Sequence, residues 1–471
     1  MFEEDDSEED DYLDFNLKES IAKFDAYLEG GQPFYIDSDV LGMITDHYLY
    51  NGEYVKAINA CEFGLKYFPG NPVFILRLSQ AYSAKGMLKE ALNLLNGKDK
   101  FSENLVEFYL TKASIYSQLK NSDNAIKFFK LALELAEEDE RDEIYLDIAM
   151  EYQFKTNYPE AIEILKKAIQ SNPRNEAALY ELAFCYDISN QFEKAIQCYT
   201  EFIDENPYSF TAWYNLGNIY SKVNDLENAI RAYDYSCVIN EDFSPAYFNL
   251  GNAYLSSDKY VEAEECFCRC LEIEGDDAMT HCYLAESYEQ QGLLENAREH
   301  YNRAISMDAS LGDAWLGLGI VCDLEGDTKK GIEFIQKAIE LEPLSPSYYY
   351  VLGNALSKLE MYEEAKITYA TALEIEPENE ETLRDYYLLL IELEQWQEAS
   401  DLLDKYEKFN DNKFTVSLLR AHWLWNNYQE DFALALLARC VAENETKSKQ
   451  LFDWFEELKE EPKIITLFEN I

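Results

Sequence analysis

Residues Ala212–Tyr233 read AWYNLGNIYSKVNDLENAIRAY, and this stretch decides the fold. Counted from Phe210, Trp213, Leu216, Gly217 and Tyr220 stand at positions four, seven, eight and eleven, and Ala229 and Tyr233 at twenty and twenty-four. Positions four, seven and eleven follow helical spacing and form one apolar stripe on a first helix. Positions twenty, twenty-four and twenty-seven do the same on a second. The next stretch repeats the pattern with Tyr247, Leu250, Gly251, Tyr254, Ala263 and Phe267.

The small residue at position twenty carries the period along the chain. Ala195, Ala229, Ala263 and Ala297 are each thirty-four residues apart. The series extends upstream to Ala161 and, across a two-residue slip, to Ala125, Ala91 and Ala57; downstream it gives Gly331, Ala365, Ala399 and Ala433. One supersecondary unit is therefore copied along most of the chain. The units begin at Ser38, Pro72, Val106, Asp142, Glu176, Phe210, Ser244, Ala278, Gly312, Pro346, Glu380 and Phe414. Gly217, Gly251, Gly319 and Gly353 at position eight let the partner helix approach. Gly52, Gly86, Gly292 and Gly326 at position fifteen suit a turn with positive φ. Pro69, Pro173, Pro207, Pro343 and Pro377 close their units. No single unit can bury its apolar face, so neighbours must stack.

The matched positions resemble the tetratricopeptide repeat (TPR) over residues 38 to about 447. The resemblance implies an all-α, right-handed superhelical solenoid of about twelve helix-turn-helix units with capping helices at both ends. The expected organisation is an acidic disordered tail over 1–14, an N-terminal capping helix over 15–37, the repeat array over 38–447 and C-terminal capping helices over 448–471. An acidic leader ahead of a long array also resembles uncharacterised all-TPR proteins of Bacteroidota.

Lys and Arg number 40 against 91 Asp and Glu, a formal charge of −51. That sign argues against nucleic acid, whose phosphates need basic partners. The opening MFEEDDSEEDD lacks the basic region and apolar core of a signal peptide. No apolar stretch is long enough to span a bilayer. The expectation is a soluble cytoplasmic chain with no membrane partner, whose ten cysteines are free thiols in packing positions.

The period fails in a few places. Leu17, Ile21, Phe24 and Leu28 make one apolar face before Gly30-Gly31, the second helix of a degenerate unit and a cap for the first repeat. Unit three carries its two extra residues in AEEDER, ending at Arg141, where a local change of superhelical pitch is expected. Gly97 shortens the second helix of unit two. Beyond unit twelve, Leu451, Phe455 and Leu458 mark another helix face, and Pro462 precedes a short apolar segment. This end reads as a cap or as a self-association surface giving a homodimer through terminal repeats.

In the TPR family, first-helix positions two, five, six, nine, twelve and thirteen line a concave groove. Carried onto this chain, the resemblance puts Asp39, Asp46, Glu143, Asp147, Glu181 and Asp187 there, then Glu286, Glu289, Asp313 and Asp323, and finally Glu381, Asp385 and Glu392. Its basic residues are Arg77, Lys222, Lys358 and Arg384. A concave wall of one sign concentrates cationic ligands, although any face of so acidic a chain carries negative charge. Asn215 and Asn249 share position six, and Asn218, Asn252 and Asn354 share position nine. Their amides suit a peptide backbone, and asparagine is also common at these positions in the family. Tyr180, Tyr214, Phe248, Tyr283 and Tyr350 add aromatic surface.

Some TPR co-chaperones hold a peptide's C-terminal carboxylate with basic groove residues; here only Lys222 is close to the asparagines, which disfavours that mode. Cys266, Cys268, Cys270, His281 and Cys282 offer metal-ligand residue types, but the cysteines alternate on a predicted helix without a C-x-x-C turn. His47, His300 and His422 fall in distant units, and no glycine-rich phosphate loop is present. No catalytic residue, metal or cofactor is therefore expected. The reading is a protein-interaction scaffold whose groove takes an extended, basic polypeptide. The alternatives are a self-assembling structural protein and a regulatory subunit of an enzyme or secretion complex.

Overall fold

The structure, a computed structural model, describes residues 5–32, 34–97, 105–407 and 413–469, and side chains within that range except those of 5–16, 413 and 469. The fold is an all-α solenoid of helix-turn-helix units. A first helix starts within one residue of each of the twelve expected positions, from Ser38–Tyr50 to Lys413–Asn426, and a second helix follows in each unit. No β-strand occurs among the described residues. The chain divides into two compact bodies, Met1–Ile239 with units one to six and Asn240–Ile471 with units seven to twelve.

The turn inside each unit is the same local device repeated. The position-sixteen N–H donates to the position-eleven carbonyl in every unit, as from Asn157 to Tyr152 and from Leu293 to Tyr288, both at 2.9 Å. This is the Schellman arrangement, and it demands a left-handed residue just before the donor. All twelve position-fifteen residues have positive φ, but only Gly52, Gly86, Gly292 and Gly326 are glycines. Lys120, Thr156, Asn190, Asn224, Asp258, Glu360, Glu394 and Tyr428 adopt it with a side chain. The turn's hydrogen bonds override local preference there, at roughly 1–2 kcal/mol per strained residue.

Small residues set how closely the two helices of a unit approach. The alanines at position twenty, from Ala57 to Ala433, are fully buried. A Cβ added at Gly217 would come within 2.6 Å of the Tyr233 ring, and at Gly251 within 2.8 Å of Phe267. In unit nine both partners are glycine, and a Cβ on Gly331 would sit 2.7 Å from the carbonyl oxygen of Gly319. Position eight therefore lies under position twenty-four or against the backbone of position twenty.

At the N-terminal end a single helix spans Asp5–Leu28. Most of the acidic stretch expected as a disordered tail is thus the opening part of this helix, and residues 1–4 lie outside the described residues. Phe24 is fully buried in the core of unit one, with Leu17, Ile21 and Leu28 packed beside it. The second helix of unit two is short, Leu88–Leu95, with Gly97 at φ 76° beyond it. The extra residues of unit three form a 3-10 turn, Glu138–Glu140, directly before the first helix of unit four (Arg141–Phe154).

The C-terminal end differs in detail from the expected helix. Leu451–Trp454 is a single turn, Glu456–Glu460 is 3-10, and Pro462–Glu469 is a short helix. Leu451, Phe455, Leu458 and Ile464 are nonetheless all buried, in one core with unit twelve. In the apolar segment after Pro462, Ile464 is buried, whereas Ile465, Leu467 and Phe468 are partly exposed and Ile471 lies outside the described residues. No disulfide joins any of the ten cysteines, and only Cys198 and Cys268 are partly exposed.

Candidate peptide-binding groove

Charge on the first-helix face resolves into two classes. Each of the four basic residues is held by a carboxylate of the same face. Arg77 bridges Asp46 and Glu107, Lys222 pairs with Asp187, Lys358 with Asp323 at 2.9 Å, and Arg384 with Asp385 at 2.6 Å. Lys222 and Lys358 reach back from position thirteen to position twelve of the preceding unit, a geometry set by the repeat. Partly exposed pairs of this kind contribute little stability, but they cancel the groove's positive charge.

The carboxylates outside those pairs remain uncompensated. Asp147 is pushed up to about 6, by burial first and then by Glu143 and Glu151. Glu286 is raised by burial and by the Asp313 charge. Glu289 is buried and raised to about 7 by desolvation, against the stabilising hydroxyl of Tyr301, with Glu286 adding to the rise. Desolvation and like charge both disfavour the ionised form. No ion pair among the described residues involves Asp147, Glu286 or Asp313.

The other candidate residues take up defined partners. In the N-terminal body, Tyr180 donates to Glu176 at 3.0 Å, and Glu181 accepts from the Gln153 amide at 2.8 Å. Asn215 donates to the Thr211 carbonyl of its own helix at 2.9 Å, and the Tyr214 ring lies 6.0 Å from that of Tyr233. The Tyr233 hydroxyl donates to the Asn218 carbonyl oxygen at 2.8 Å. In the C-terminal body, Tyr369 donates to Asn354 in the same way at 2.5 Å. These bonds use the amide oxygen and fix the orientation of the NH2 group.

Asn252 breaks the series, because position twenty-four of its unit is Phe267. Its amide oxygen is buried with no hydrogen-bond partner among the described residues. Asn249, one turn earlier, is partly exposed. Phe248 and Tyr283 meet edge-to-face at 5.4 Å, and Tyr283 stacks on Phe267 at 5.8 Å. Asp313 accepts from Tyr348 at 2.7 Å, and Tyr350 donates to Asp385 at 2.7 Å. The groove aromatics are thus partly spent on cross-unit packing and hydrogen bonding.

The first-helix face also carries residues that a charge map passes over. A cavity of about 400 Å³ opens among units two, three and four, and every lining residue except Phe129 occupies a groove position. Its polar lining comes from Gln80, Ser83, Glu107, Thr111, Ser114, Gln118 and Asp147. Gln80 donates to Glu107 and Thr111, both at 3.1 Å, and Gln118 donates to Ser83 at 3.0 Å. The available signal was a run of hydroxyl and amide residues at positions six, nine, twelve and thirteen in consecutive units.

The histidines are not all scattered. His281 is buried and lies 2.9 Å from His300, nitrogen to nitrogen. Burial and then His281 hold His300 below its usual range. His422 is buried against Phe455, its ring 3.5 Å away, and accepts or donates at 2.9 Å with Tyr387. Both sites are packing elements with their hydrogen-bonding groups engaged.

A repeated helix pair with a polar, partly desolvated inner face defines a helical-repeat interaction scaffold. The chain belongs to the tetratricopeptide repeat family. Profiles of that repeat match residues 48–97, 106–139, 155–207, 198–231, 244–277, 282–347 and 346–379, well over half of the sequence. Among curated proteins, the probable UDP-N-acetylglucosamine–peptide N-acetylglucosaminyltransferase SPINDLY of Hordeum vulgare is 29% identical over 120 residues, 24% of this chain and 12% of that protein. Type IV pilus assembly protein PilF of Pseudomonas aeruginosa is 25% identical over 144 residues, 30% of this chain and 57% of that protein. The chain therefore spans less than two thirds of the length of either relative. Among solved structures, yeast Tom70 is 16% identical, with 92% of this chain and 99% of that chain covered and a TM-score of 0.48. A tetratricopeptide repeat protein from Parabacteroides merdae is 19% identical, with 50% and 93% covered and a TM-score of 0.43. No helix among the described residues is long and apolar enough to cross a membrane.

Proposed function

We propose that this protein is an interaction scaffold whose first-helix face binds an extended, basic segment of another polypeptide. One observation carries the reading. Every cation on that face is consumed by an in-face ion pair, while Asp147, Glu286 and Asp313 have no cationic partner and the first two are held above their usual range. A ligand cation reverses that penalty, because an opposite charge favours the ionised form. The oriented amides of Asn218 and Asn354 support backbone recognition with little dependence on ligand sequence.

The test uses the full chain and a fluorescent peptide alternating alanine and lysine, read by anisotropy. Binding is expected to weaken with salt and to drop at least about tenfold when Asp147, Glu181, Glu286 and Asp313 are replaced together by Asn or Gln. Equal binding by the fourfold variant, or by a peptide with glutamate in place of lysine, would sink the electrostatic groove.

A further inference from the structure

We propose that the cavity among units two to four is an anchor pocket for a single lysine or arginine side chain of the bound polypeptide. The inference rests on the groove reading above and adds a place and a chemical class to it.

The cavity, at about 400 Å³, has room for a long side chain with part of its backbone. Leu110 and Phe129 supply apolar surface for the methylene stem. The polar wall presents hydroxyls on Thr111 and Ser114 that can accept from an ammonium or guanidinium group. Two carboxylates line the space, and they are not equivalent. Glu107 is already neutralised by Arg77 and bonded by Gln80. Asp147 has neither an ion pair nor a hydrogen bond to another described residue.

The lining therefore has one unanswered charge, and it is negative. Burial and the neighbouring Glu143 and Glu151 keep that carboxyl above its ordinary range, a penalty that an entering cation removes. An acidic or phosphate-bearing ligand would add to the same repulsion. A wholly apolar side chain would leave Asp147 desolvated without a partner.

The test uses the full chain, the alanine–lysine peptide, and the same peptide with norleucine replacing lysine. Asp147→Asn keeps the shape and removes the charge, whereas Ser114→Phe fills the cavity from an exposed position and leaves the charge. Each variant is expected to weaken the lysine peptide on the order of tenfold, with the norleucine peptide not weakened by Asp147→Asn. A third variant, Glu181→Gln with Glu286→Gln and Asp313→Asn, leaves the pocket intact and reports on the rest of the groove. If both pocket variants bind like wild type while the third weakens binding, the anchor is wrong and the acidic groove stands. If Asp147→Asn weakens binding and Ser114→Phe does not, the charge acts at a distance and the pocket is refuted. If the wild-type chain does not bind the lysine peptide, the groove reading fails and takes the anchor with it.

Discussion

Units four and eight present the same problem and solve it differently. Each places on its first helix a carboxyl group that burial and like charge lift well above the normal range, Asp147 in one and Glu289 in the other. Glu289 is closed off. Tyr301 donates to it at 2.9 Å, and its ring occupies the space left by Gly317, where a Cβ would lie 2.0 Å from the nearest ring atom. Asp147 has no donor among the described residues and lines an open cavity. Desolvation alone therefore does not mark a binding group; the difference lies in whether the fold supplies the partner or leaves the place empty.

The comparison breaks most severely at Gly317. Gly317→Val should displace the Tyr301 ring and cost about 3 kcal/mol, read as a lower urea midpoint. Ser114→Val, on the exposed face of unit three, should move it by less than about 0.5 kcal/mol. Equal effects would mean that Tyr301 does not depend on the missing side chain.

Next comes the hydroxyl itself. Tyr301→Phe should cost about 1–3 kcal/mol by stripping a buried carboxyl of its donor. Glu289 has a folded pKa near 7, above its unfolded value, so the folded state binds the extra proton. Its contribution is full below the unfolded pKa and is lost as pH rises through about 7. Because the Tyr301 bond opposes that rise, the cost should be larger at pH 8 than at pH 5; urea denaturation at both values would reveal a flat or inverted difference.

A smaller gain is expected where unit seven departs from units six and ten. Phe267→Tyr would place a hydroxyl where Tyr233 and Tyr369 hold their asparagines, satisfying the orphaned oxygen of Asn252. The expected stabilisation is about 1 kcal/mol, and a lower melting temperature would show that the ring cannot carry the hydroxyl there. The smallest effect concerns the turns of the two units. Thr156 and Gly292 hold the same left-handed position, with φ 55° and 75°. Thr156→Gly should stabilise by roughly 0.5–1 kcal/mol, and Gly292→Thr should destabilise; no change in either would mean that the turn tolerates a β-branched residue without strain.

Much of this was legible from residue spacing. The period placed the first helix of every unit to within one residue, because a buried small residue every thirty-four positions admits few alternatives. The family resemblance, rather than the period, singled out the first-helix positions on which Asp147 and eight other lining residues of the cavity fall. The acidic residues of that face were legible one by one, but not which of them are neutralised. That Asp46, Asp187 and Asp323 are neutralised depends on which side chains of adjacent units touch, and Asp385 on how Arg384 of its own helix turns.

By itself the sequence determined the repeat, its register and the division of residues into core and turn. Those properties follow from local periodicity, which survives without knowledge of any particular contact. The tertiary structure decided which turns are strained, which asparagines have a hydroxyl, that Asn252 lacks one, and that Asp147 opens to a cavity while Glu289 does not. Each of those depends on three-dimensional geometry within a unit or between units, where a single methyl or hydroxyl group separates an occupied position from an open one.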